Sequence, residues 1–197
     1  MRMLCRMGSE SSSPREEERT RAGGSTGRGR IREAVEADVP EILGMIVDLA
    51  EFEKEPDAVK LTESGLRDAL FGPRSTIFAH VAEAAEAGGT SFRLDGFALW
   101  YLTFSTWEGV NGIHLEDLYV RPACRGTGRG RALLQSLAAV AVARGWRRVE
   151  WQVLNWNSAA IEFYRSLGAH PMSEWSTFRL DGGALEAFGG AASSADS

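Results

Sequence analysis

The sequence predicts an α/β (α+β) domain, and three observations carry that reading. Three segments rich in Ile, Val, Phe, Tyr and Leu, at Thr76–Ala84, Gly96–Thr103 and Ile113–Val120, are separated by Gly-bearing turns, which predicts an antiparallel meander. Two segments with helical spacing precede them. A glycine-rich stretch, Arg125-Gly126-Thr127-Gly128-Arg129-Gly130, then joins the third of these strands to an apolar helical run, Arg131–Ala143.

Residues 1–30 are rich in Ser, Gly, Arg and Glu and almost free of apolar periodicity, so they cannot bury enough surface to offset the entropy of ordering. We expect a flexible tail there. Its seven arginines against four glutamates give it +3, which leaves −8 of the whole-chain −5 on residues 31–197 (15 basic, 23 acidic). A basic leader suggests nucleic acid or a transit peptide, but Glu16, Glu17 and Glu18 interrupt it and the acidic body speaks against nucleic acid. With 197 residues, 44% of them hydrophobic, the chain suits one domain, expected over 31–188, with residues 189–197 a second small, polar tail.

The first helix is predicted from a capping box, Asp38 with Glu41, followed by Ile42, Met45, Ile46 and Leu49 on one face. Thr62 caps a second helix that carries Leu66, Ala69 and Leu70 and stops at Gly72-Pro73. After the glycine-rich helix, Arg148–Leu154 reads as the fifth strand and Ala159–Ser166 as the last full helix, with Gly168 as a left-handed cap.

No apolar run approaches the roughly 20 residues that span a bilayer, and the first residues lack a hydrophobic segment of signal-peptide length. A cytoplasmic protein with no membrane partner is expected. Cys5 and Cys124 make neither a disulfide framework nor a metal set, and His80, His114 and His170 are scattered without ligand spacing, so no metal site is expected.

Glycines 126, 128 and 130 allow successive backbone N–H groups to turn toward one anion, and the N-terminus of the following helix adds about half a positive charge. The stretch lacks the Gly-Lys-Ser/Thr ending of a P-loop and the G-x-G-x-x-G of a dinucleotide fold. What remains is R-x-x-G-x-G, an anion cradle or a plain Gly/Arg turn.

One strand further on, Asn157 to Ala169 has the form N-x-x-A-x-x-F-Y-x-x-x-G. The two motifs in this order resemble the GCN5-related N-acetyltransferase (GNAT) superfamily, over about Ile31 to Leu180. Within it the chain is most similar to the diamine acetyltransferase branch, which includes spermidine/spermine and thialysine N-acetyltransferases. Leu49-Ala50-Glu51-Phe52-Glu53, Leu61-Thr62-Glu63, Trp107, Leu115 to Val120 and Asn155-Trp156-Asn157 carry that closer likeness.

The resemblance implies a mixed central sheet flanked by helices, in the order strand, helix, helix, three strands, glycine loop and helix, strand, helix, strand. The fourth and fifth strands would splay apart. Acetyl-CoA would be the cosubstrate, its pantetheine arm pairing with the backbone of Leu118, Tyr119 and Val120. Its pyrophosphate would lie on the N–H groups of Arg125, Gly126, Thr127, Gly128, Arg129, Gly130 and Arg131, with Arg125 and Arg131 as available cations. Asn157 would hydrogen-bond the arm and Ala160 let it pass, although Asn is also an ordinary helix N-cap.

The resemblance makes Tyr164 the general acid for the departing thiolate, a role that suits a phenol with an ordinary pKa near 10. Phe163 and Tyr164 also read as neighbouring core aromatics at a helix end. No Cys-His or Ser-His arrangement points to a covalent acyl-enzyme, so the amine would attack the thioester directly. Glu116 is the first candidate to take its proton. Glu116 and Asp117 are strand neighbours, so without a bulge only one of them faces the cleft. Phe52, Glu53, Trp107, Glu116 and Asp117 are the candidate substrate contacts, Trp107 being equally a core or interface residue.

The reaction implied is acetylation of a primary amine on a small molecule, with a polyamine or diamine first. Thialysine-like amino acids, peptides and a noncatalytic acyl-CoA-binding module are the alternatives. Family resemblance also suggests a homodimer.

Overall fold

The computed structural model describes residues 29–84 and 93–193. The expected tail at 1–30 therefore lies almost wholly outside the described residues, as does Cys5. In chain order the elements are β1 (Ile31–Glu33), a 3-10 turn (Glu36–Asp38), α1 (Val39–Phe52), α2 (Glu63–Phe71), β2 (Ile77–Glu83), β3 (Leu94–Ser105) and β4 (Val110–Val120). A second 3-10 turn (Pro122–Cys124), α3 (Arg129–Ala143), β5 (Val149–Trp151), α4 (Ser158–Ser166) and α5 (Gly182–Ser193) follow. No helix among the described residues is long and apolar enough to cross a membrane. The chain forms two compact units, Met1–Trp151 and Gln152–Ser197.

In the first unit the five strands lie in chain order, antiparallel from β1 to β4 and parallel between β4 and β5. The parallel step needs a crossover, which α3 supplies. One sheet face carries Ala79, Val81, Phe97, Leu99 and Tyr119 and forms the main core with Val39, Ile42 and Met45 of α1 and Leu66 and Leu70 of α2. The opposite face carries Ala82, Ala98, Trp100, Ile113 and Leu115, against which α3 packs with Leu133, Leu134, Leu137 and Ala141. The period-2 and one-face helical patterns thus fall where the sequence puts them.

The start of α1 departs from the expected capping box. Asp38 is fully buried and pairs with Arg32 at 2.6 Å while accepting from the Val35 N–H at 2.9 Å; it makes no side-chain cap bond to α1. A buried carboxylate gains more from a guanidinium than from a neutral N–H donor. Glu41 likewise turns away from its helix and accepts from the N–H groups of Arg93 and Leu94, at 3.1 and 3.0 Å, which fastens α1 to the start of β3. At α2 the expectation holds: Thr62 Oγ1 accepts from the Gly65 N–H at 3.1 Å.

β5 is shorter than the expected Arg148–Leu154. Its ladder with β4 ends at Leu115↔Trp151, immediately before the register of β4 against β3 shifts.

The second unit contains α4 and α5. Gly168, at φ 90°, closes α4 as expected, with Ala169 N–H donating to Tyr164 C=O and Gly168 N–H to Arg165 C=O. The expected final strand is not found among the described residues of the segment before α5. Pro171 cannot donate to a ladder, and the Trp175 N–H closes a turn onto Met172 C=O instead. Ala159–Ser166 is not the last full helix either. α5 runs into the segment expected as a C-terminal tail, and its glycine pairs explain why a propensity reading passes over it.

Candidate active site

The glycine loop follows β4 and leads into α3. Gly126 and Gly128 have φ of 75° and 89°, and a Cβ built on either meets no atom within 4 Å. These glycines are required by backbone conformation and the space beside them is open. Thr127 Oγ1 donates to Cys124 C=O at 2.6 Å and holds the turn. Gly128 is the N-cap of α3, so the N–H groups of Arg129, Gly130 and Arg131 lie in the first turn, where a helix provides no intrahelical acceptor. Arg131 is exposed. Arg125 lays its guanidinium 5.3 Å from the Phe52 ring centre and 5.7 Å from that of Tyr119, and its Nε donates to Val120 C=O at 3.0 Å. The Arg129 side chain turns inward and pairs with Asp95 at 2.8 Å.

β4 presents an edge beside this loop. Arg121 N–H bonds Asp95 C=O at 2.9 Å, and Val120 faces Gly96 across the ladder. Antiparallel alternation then commits the backbone of Tyr119 to β3 and turns that of Leu118 and Val120 to the other edge. The ladder with β5 has ended by that level. The two strands part as the sequence reading expects; Leu118 and Val120 lie at the edge, whereas the backbone of Tyr119, expected to face the arm as well, is in the ladder with β3.

Trp100 pairs with Leu115 and Leu99 with Asp117, so Glu116 is the extra residue of a β-bulge. The alternation that would send Glu116 and Asp117 to opposite faces is broken there. Both carboxylates line one cavity of about 480 Å³, together with Ile46, Leu61, Ala69, Leu99 and Tyr101. Burial, then Glu116 and Glu53, push the Asp117 carboxyl up to about 6. Burial also raises Glu53, just past the end of α1, and Tyr101 is raised by burial and by Glu116. Glu116 and Asp117 thus form an acidic pair in the hollow, and Glu53, outside its lining, adds to their negative potential. Tyr101, which stacks on His114 with centroids 4.8 Å apart, and Leu61 line this site without having been named as site residues from the sequence. Period-2 spacing from Leu99 was the available signal for Tyr101.

Trp107 is not part of the cavity lining. It is 88% exposed in the β3–β4 turn, beyond Ser105, six residues along the strand from Leu99.

In the second unit, Asn157 caps α4, its Oδ1 accepting from the Ala160 N–H at 3.2 Å, so the ordinary N-cap reading holds and the amide NH2 stays available as a donor. Phe163 and Tyr164 lie with ring centres 5.3 Å apart, and burial raises the Tyr164 phenol.

Residues 41–169 match the model of the acetyltransferase (GNAT) family. A thialysine N-epsilon-acetyltransferase of Sus scrofa is 41% identical over 165 residues, which cover 81% of this chain and 96% of that one. An L-ornithine N5-acetyltransferase of Arabidopsis thaliana is 32% identical, covering 80% of this chain and 86% of its own. The solved structure of an integron cassette protein from the mobile metagenome of V. cholerae superposes with a TM-score of 0.67 at 23% identity, over 81% of this chain and 96% of that one, and shares the fold. The chain belongs to the acetyltransferase (GNAT) family and is an N-acetyltransferase similar to members of its diamine acetyltransferase branch.

Proposed function

We propose that this N-acetyltransferase takes acetyl-CoA as donor and acetylates a primary amine of a small diamine or polyamine. The observation that carries the substrate reading is the cavity of about 480 Å³, where apolar walls meet Glu116 and Asp117 and no Lys or Arg is among the lining residues. An alkyl chain suits the walls and a second ammonium suits the carboxylates. Residues 31–188 are taken as the working domain, since the family match runs through both compact units.

The glycine loop fits the donor: its open, left-handed backbone and the first-turn N–H groups of α3 suit a pyrophosphate. Bound acetyl-CoA supplies an activated acetyl thioester. Leu118 offers its edge N–H and C=O and Val120 its edge N–H to the amide-bearing arm, and the Asn157 NH2 offers a further donor. Glu116 takes a proton from the acceptor ammonium, directly or through a water, so that the free amine attacks the thioester carbon, while Asp117 and Glu53 hold the distal ammonium. Tyr164 gives its phenolic proton to the departing sulfur; burial, by raising that phenol, keeps it protonated at neutral pH. A homodimer belongs to the same proposal and is supported by Phe104 and Trp107, exposed on the β3–β4 hairpin.

A second reading, an ω-amino acid as acceptor, is favoured by the similarity to the thialysine and ornithine acetyltransferases. The test compares kcat/KM for cadaverine, pentylamine and lysine, which share a five-carbon amine chain. The acidic cavity predicts at least about a tenfold preference for cadaverine over the other two, equivalent to ~1.4 kcal/mol. Equal use of pentylamine would remove the distal-ammonium site, and a preference for lysine would install the second reading.

A further inference from the structure

Arg129 occupies an unfavourable place for a cation. It is the first residue of α3, where the helix carries partial positive charge, and it is nevertheless buried. Asp95, at the start of β3, accounts for it: Arg129 Nε donates to Asp95 Oδ2 at 2.8 Å, with both side chains only 9% exposed. The surroundings bind this pair into the loop. Arg121 N–H bonds Asp95 C=O at 2.9 Å, Arg121 Nε bonds Leu94 C=O at 2.9 Å, and the Cys124 thiol is raised by burial and by Asp95. Arg121 also faces Glu41 and Asp48, at 3.7 and 3.6 Å.

A buried ion pair of this kind contributes little net stability over an apolar pair, but removing one partner leaves an unbalanced charge in a medium that screens it poorly. Here the unbalanced charge would lie directly beneath the glycine loop.

We infer that Arg129 and Asp95 are positioning residues that set the electrostatic potential of the anion cradle, with Arg129 its buried cation and Asp95 the counter-charge that moderates it. This rests on the reading of the loop as the site of the donor's pyrophosphate. Neutralising each partner should therefore act on donor affinity with opposite sign. Arg129→Met leaves a carboxylate under the cradle and weakens acetyl-CoA binding, whereas Asp95→Asn leaves a cation there and tightens it. At an intermediate effective dielectric, each change is expected to be ~5- to 10-fold. The double variant should return close to wild type, and Arg129→Lys should bind like wild type because the charge is kept.

The experiment is calorimetric titration of acetyl-CoA into wild type and the four variants at low and high salt, after near-UV circular dichroism has confirmed folded protein. S-acetylpantetheine, which has no phosphate, serves as a second donor in turnover. The expected result is opposite shifts for the two single variants, reduced by salt, and no change in the KM for S-acetylpantetheine. If both single variants weaken acetyl-CoA alike, or both match wild type, the pair is a structural strut and the inference fails while the cradle stands. If the wild-type protein does not bind acetyl-CoA, the cradle reading fails and takes this inference with it.

Discussion

Replacing Asp117 with Asn should stabilise the protein, and only above the range in which the carboxyl titrates. Burial, Glu116 and Glu53 lift this group from an ordinary 3.8 to about 6. A carboxyl whose folded-state pKa is raised holds its proton more tightly folded than unfolded. Its favourable contribution is therefore complete below about pH 4 and lost as pH rises to about 6. At ~1.4 kcal/mol per pH unit, the displacement corresponds to a cost of ~3 kcal/mol once the group is ionised, an upper figure because neighbouring groups and water adjust. Asp117→Asn removes that cost and retains the shape of the side chain. Urea unfolding of both proteins at about pH 4 and about pH 8 should show similar stabilities at the lower pH and a gain of ~2–3 kcal/mol for the variant at the higher. Spermidine, added at about pH 8, should narrow the gap by stabilising wild type more than the variant. A difference independent of pH, or a variant less stable at about pH 8, would refute the assignment of Asp117 as an ionised carboxylate held against its environment.

Three further outcomes are expected. Tyr164→Phe should lower kcat by about 10²-fold and leave acetyl-CoA affinity within about twofold, in steady-state turnover and direct binding measured together; an unchanged kcat removes Tyr164 from the general-acid role. Gly128→Val forces a branched side chain to φ 89° and should weaken acetyl-CoA binding at least about tenfold in the folded protein, so unchanged affinity would sink the cradle. Thr62→Ala removes the bond to the Gly65 N–H and should cost ~1 kcal/mol in chemical denaturation, with no effect expected on donor affinity.

Features set by a few neighbouring residues were legible in the sequence. Thr62 caps α2, Gly168 closes α4 and Gly128 turns into α3 because each requirement lies within one turn of the chain. The apolar periods of α1 and β2 to β4 also survive, since each element has one face to bury. Contacts distant in sequence were not legible. Asp38 and Glu41 look like a capping box until Arg32 and the N–H groups of β3 compete for them. The bulge at Glu116 depends on the pairing of Leu99 with Asp117, 18 residues apart, and it turns both members of the acidic pair to one cavity. Arg129 enters the sequence reading only through its loop N–H, because the partner that draws its side chain inward lies 34 residues earlier. Trp107, offered to the site by resemblance, lies exposed in the turn between β3 and β4, outside the cavity lining.

The central claim, transfer of acetyl from acetyl-CoA to a small diamine, is tested most directly by thiol release from acetyl-CoA by the purified protein. Putrescine, spermidine and spermine would be assayed beside thialysine, ornithine, lysine and tyramine, with the product identified by mass. The account predicts steady release with the diamines and polyamines and a product heavier by one acetyl group. Release confined to the amino acids or to tyramine would contradict the substrate class, and silence with every amine by a protein that binds acetyl-CoA would contradict the claim itself.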